Sequence, residues 1–136
     1  MINQILLHPQ EIEVFYILPT LRRELAIQMK NNGLKQNKIA ELLNIESATV
    51  SQYINEKRGN KIELNEEIKK EIAISANKIT DKLSLLRETQ KLLRLSRNSG
   101  FLCKIHKQFS NVPNECNPQL IECFGDEKDA NARVCY

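Results

Sequence analysis

The apolar positions of residues 36–54, QNKIAELLNIESATVSQYI, fall into two short helical sets joined at a corner. Ile39, Ala40 and Leu43 share one face of the first set, while Ile45, Val50 and Ile54, with Tyr53 alongside, come from the corner and the second set. The small Ala40 suits the close approach of two helices. Asn44 stands where the chain turns, a position at which Gly or Asn tolerates a left-handed backbone. Between these apolar positions, Ser47, Ala48, Thr49, Ser51 and Gln52 are short or polar and lie largely off the apolar face. A helix with such a face fits the DNA major groove, about 12 Å wide, and reads base edges there.

The flanks carry the same helical rhythm. PQEIEVFYIL, residues 9–18, is apolar at Ile12, Val14, Phe15, Ile17 and Leu18. Its β-branched content permits a strand, but Pro9 in a first turn and Glu11 and Glu13 near a positive helix end favour a short helix. Pro19 is expected to break it and Thr20 to cap the next, TLRRELAIQMKNN, apolar at Leu21, Leu25, Ala26 and Met29 and closed by Gly33. Beyond Ile54, Gly59 is expected to stop the second reader helix, with Lys57, Arg58 and Lys61 crowding the exit as phosphate contacts or as a solvated loop. Asn65, Glu66 and Glu67 make a strong helix start. From there to about Asn98, Ile72, Ile79, Leu86 and Leu93 recur every seven residues, with Ala76, Leu83 and Gln90 between. About three heptads suffice for a coiled coil that pairs two chains; the alternative is one or two amphipathic helices folded back on the N-terminal bundle.

After Ser99–Gly100 the chain changes character. Leu102, Ile105 and Phe109 define a short helix face, and Asn111–Pro113 and Asn117–Pro118 are turn signals. The expected fold is therefore all-α: an N-terminal helix-turn-helix bundle over residues 1–63, a dimerising helix or helix pair over 64–99, and a small cysteine-containing region over 100–136.

Composition narrows the function. A net charge of +3 is too small to attract nucleic acid as a global field, so DNA binding must rest on local clusters. No apolar run approaches the roughly 20 residues that span a membrane. The N-terminus MINQILLHPQ lacks the order of a signal peptide, so a cytoplasmic protein is expected. An enzyme is not expected: there is no Ser/His/Asp order, Gly-rich phosphate loop or H-E-x-x-H.

The run ILPTLRRELAIQMKNNGLKQNKIAELLNIESATVSQYINEKRGNKI resembles the Cro/repressor-type helix-turn-helix, and within it the branch found in predicted archaeal transcriptional regulators. The likeness covers about residues 10–63. It is carried by the Ile39, Ala40, Leu43, Ile45, Val50 pattern and by VSQY…KRG, and it departs from the family at Asn44, where the turn residue is usually Gly. The resemblance implies base contacts at Ser47, Ala48, Ser51 and Gln52, and phosphate contacts at Gln36 and Asn37. Thr49, Lys57 and Arg58 complete the candidate DNA-binding set, with double-stranded DNA and a second copy of the chain as partners.

All four cysteines lie near the end: Cys103, Cys116, Cys123 and Cys135, with His106 one turn after Cys103. In a cytoplasmic chain such a cluster points to metal or redox chemistry before a disulfide scaffold. The spacing lacks the tight paired hook of zinc knuckles. Wide loops suit an iron–sulfur cluster at least as well, because several irons accept thiolates from different directions. Cys103, Cys116 and Cys123 are the expected ligands, with His106 or Cys135 fourth. Zinc, a thiol redox switch and plain free thiols stay open, as does an antitoxin-like interaction module in place of a DNA reader.

Overall fold

Pro19 does not interrupt the first helical stretch. In the computed structural model, which describes residues 5–117, α1 (Pro9–Ile12) runs through a π-helical segment (Glu13–Ile17) directly into α2 (Leu18–Asn31). Proline has no N–H to offer the preceding turn, and its ring crowds that turn. The wider π turn just upstream takes up the defect, with the Leu18 N–H reaching the Glu13 carbonyl. Thr20, expected to cap a new helix, instead donates its hydroxyl to the Tyr16 carbonyl at 2.8 Å. The break expected at Pro19 is thus corrected to a continuous helix with a π turn in it.

Three successive helices end in the same way. α2, α3 (Gln36–Leu43) and α4 (Ser47–Ile54) are each followed by a residue with positive φ: Gly33, Asn44 and Glu56. In each case the next N–H closes on a carbonyl inside the helix: Leu34 on Met29 at 3.1 Å, Ile45 on Ala40 at 3.0 Å, Lys57 on Gln52 at 2.8 Å. These bonds satisfy carbonyls that the helix leaves open. Gly33 and Asn44 act as the sequence suggests. Gly59 does not stop α4: the helix ends at Ile54, and Glu56, at φ 61°, makes the turn. Gly59 serves a close approach instead, since a Cβ there would lie 2.6 Å from the Pro19 carbonyl oxygen.

α5 (Glu66–Lys78) starts at Asn65, whose side chain accepts the Ile68 N–H at 2.9 Å. It ends at an elbow, Ile79–Asp81, and α6 (Lys82–Asn98) returns beside it. Asp81 and Ser84 build that elbow: the Asp81 carboxylate accepts the Ser84 N–H at 2.8 Å, and the Ser84 hydroxyl accepts the Thr80 N–H at 2.8 Å and the Asp81 N–H at 2.9 Å. The seven-residue series is therefore split. Ile72, Ala76, Ile79 and Leu93 are buried in the chain's own core, whereas Leu83, Leu86 and Gln90 are exposed. The continuous coiled-coil seam is corrected to a helix pair folded back on the bundle.

α2 lies at the centre, packed by α3, α4, α5 and α6. Leu21, Leu25 and Met29 on it join Ile39, Val50, Ile68, Leu92 and Ile105 in one hydrophobic cluster. Residues from 1–63, 64–99 and 100–136 all contribute to that cluster. α7 (Phe101–Phe109) closes the fold against α1 and α6. Its Ser110 hydroxyl accepts the Leu7 N–H at 2.7 Å, and its His106 Nε2 bonds the Leu7 carbonyl. Among the described residues there is no strand, and no helix is long and apolar enough to cross a membrane.

Candidate nucleic-acid interface

The N-terminal ends of α3 and α4 are tied together by side chains. The Gln36 Nε2 donates to the Ser47 carbonyl at 2.8 Å and to the Ser47 hydroxyl at 2.9 Å, and that hydroxyl donates to the Asn37 carboxamide oxygen at 3.1 Å. Gln36 and Asn37 are exposed and Ser47 is half-buried. The cluster fixes the angle between the two helices from outside, while Ile39, Leu43 and Val50 fix it from inside. Gln36, Asn37 and Ser47 are thus brought to one place.

The rest of the α4 face is less uniform. Ala48 is exposed, and Thr49 and Ser51 are half-buried, Ser51 accepting a bond from the Asn55 amide at 3.3 Å. Gln52 is half-buried as well. Its Oε1 is shut away from solvent without a hydrogen-bond partner, and the Nε of Arg23 on the facing α2 is in the same condition. An unmet buried polar group of this kind costs about 1–3 kcal/mol. Lys57 and Arg58 are exposed just past the end of α4.

Arg23, which no sequence pattern singles out, anchors this exit. Its guanidinium reaches Glu56 at 3.0 Å and Glu24 at 2.7 Å. Glu56 holds the left-handed turn, so the pair ties the end of α4 to α2. Lys61 lies over the Tyr16 ring at 5.9 Å, and Phe109 of α7 stacks on the same ring at a centroid distance of 4.3 Å. The basic exit and the cysteine-bearing helix therefore meet at one tyrosine.

At the cysteine end, Cys103 on α7 and Cys116 after the Pro113 turn are free, half-buried thiols. Burial pushes the Cys103 thiol above its ordinary value, the nearby Cys116 adds to the rise, and Lys107 opposes it. His106 is a buried histidine whose Nε2 is already committed to Leu7. Cys123 and Cys135, the other expected ligands, lie outside the described residues. Among the described residues no three His, Cys, Asp or Glu side chains converge as a metal site would require. No family model, no curated protein and no solved structure matches this chain.

Proposed function

We propose that the protein binds double-stranded DNA through α4 and acts as a transcription regulator of the Cro/repressor-like kind. The observation that carries this reading is the Gln36–Ser47–Asn37 cluster, which sets the start of α4 beside the start of α3 at the surface. Backbone N–H groups at a helix start and side-chain amides beside them suit a phosphate, and Ala48 and Ser51 on the adjoining turns suit base edges. Lys57 and Arg58 supply cations at the other end of the same helix. The unpartnered Gln52 Oε1 gives that side chain a reason to swing outward when a base offers it a donor.

Anisotropy titration of DNA selected from a random pool tests the reading. Affinity is expected to fall as salt rises, by roughly 0.9 log–log units per phosphate neutralised. Arg58→Ala weakens all sequences alike, while Gln52→Ala changes the preferred sequence. Binding with no salt dependence, or none at all, overturns it.

The regulatory half of the proposal places a metal at the cysteine end. Cys103 and Cys116 would supply two thiolates, and iron–sulfur or zinc would hold them deprotonated despite burial. Iron, sulfide and zinc analysis of anaerobically purified protein decides between the metals, and protein free of all three removes this half without touching the DNA half. A second copy belongs to the same reading, because paired readers suit two-fold operators. With the heptad seam split, Val14 and Phe15, both exposed in the π-helical segment, offer apolar surface to it.

A further inference from the structure

The outer face of α6 carries a chemistry that neither the core nor the DNA reading uses. Leu83 and Leu86 are 75% and 61% exposed, although Leu92 and Leu93 on the same helix are buried. They stand three residues apart, so they share one face. Gln90 and Arg94 continue that face, Lys82 and Arg87 flank it, and all four are exposed.

Three cations of α6 are already engaged: Arg87 pairs with Glu88 at 3.2 Å, Lys91 with Glu71 at 3.2 Å and Arg97 with Glu13 at 2.9 Å. The helix's sole carboxylate, Glu88, is buried and accepts the Ser75 hydroxyl at 2.9 Å. Asp81, just ahead of the helix, is turned onto Ser84. What α6 offers outward is two leucines framed by cations.

We propose that this face docks an acidic amphipathic helix of a partner protein. Leucines at i and i+3 match the spacing at which a partner helix presents its apolar anchors. Carboxylates on either side of that stripe would meet Lys82 and Arg94, which fixes orientation and excludes neutral or basic helices. A second copy of this chain is disfavoured, because a two-fold axis through the face sets these cations against their own copies. DNA would use the cations and gain nothing from the leucines. Two leucines are also too little apolar surface for stable membrane binding.

The probe is a fluorescent synthetic helix with leucines at i, i+3, i+4 and i+7 and glutamates elsewhere, titrated against the full chain. Its control has lysine for every glutamate. The acidic helix binds and the basic one does not. The Leu83→Ser/Leu86→Ser double variant and the Lys82→Glu/Arg94→Glu double variant each weaken binding by about tenfold or more. Both pairs are exposed, so their circular dichroism and melting should match the parent. Four outcomes overturn the proposal: no binding of the acidic helix, equal binding by the leucine variant, self-association in sedimentation that the leucine variant abolishes, or a loss of DNA affinity in Lys82→Glu/Arg94→Glu as large as in Arg58→Ala.

Discussion

Glu88 is a carboxylate with almost no exposure, and its neighbours decide whether it helps the fold. Burial alone pushes its carboxyl upward. The Ser75 hydroxyl, Arg87, Lys91 and Lys78 outweigh that and hold it below its ordinary value of 4.5. A depressed native value means that ionised Glu88 stabilises the fold above the unfolded value, and that this contribution is lost as pH falls below about 4.5. Glu88→Gln should therefore be less stable than the parent in urea at neutral pH, and the gap should narrow as the pH falls below about 4.5. A gap that stays constant with pH would assign the loss to packing. Cys103 shows the opposite case. Its thiol is raised above 9.0, so little thiolate is present at neutral pH. Iodoacetamide should modify it more slowly than it modifies glutathione, and Cys116→Ser should speed the reaction; a Cys103 that reacts at the free-thiol rate would contradict this environment.

At the level of elements, the elbow between α5 and α6 rests on one hydroxyl. Ser84 is buried and satisfies the Thr80 and Asp81 N–H groups at once. Ser84→Ala leaves two donors unmet and should cost about 1–3 kcal/mol in urea unfolding; a neutral effect would show that water replaces the hydroxyl. This elbow also shows what the sequence hid. A seven-residue spacing of apolar side chains is the same number whether the helix is continuous or bent, so Ile72, Ile79, Leu86 and Leu93 read as a seam. The competing signal, Asp81 followed three residues later by Ser84, is a short cap that the longer pattern masked. Local chemistry was legible where one residue type answers one backbone need: Gly33 and Asn44 at left-handed turns, and Asn65 at a helix start. It was not legible at Glu56, a residue type with no such preference, whose turn is held by Arg23 from another helix. The candidate DNA face divides along the same line. Gln36, Asn37 and Ser47 meet because the two-helix motif brings its own ends together, whereas the burial of the Gln52 Oε1 is not revealed by periodicity within α4.

For the whole molecule, α7 decides how the parts depend on one another. Phe101, Leu102 and Ile105 are each at most 3% exposed in the common core. The same helix holds the N-terminal arm through Leu7 and stacks Phe109 on Tyr16, the ring beneath Lys61. Were the proposed metal or redox chemistry to act at Cys103, α7 would link it to the basic exit of α4 through Phe109 and Tyr16. The same arrangement makes α7 a support of the helical bundle that carries α3 and α4. Full burial of a large apolar side chain contributes about 1.5–3 kcal/mol, so these three supply on the order of 6 kcal/mol. Domains are typically stable by only about 5–15 kcal/mol. A chain shortened to residues 1–99 should accordingly lose its cooperative thermal transition and its DNA binding together, even though every candidate DNA contact remains. Full DNA affinity and an unchanged melting curve in the shortened chain would show that the reader stands alone, and would leave α7 without a structural claim on it.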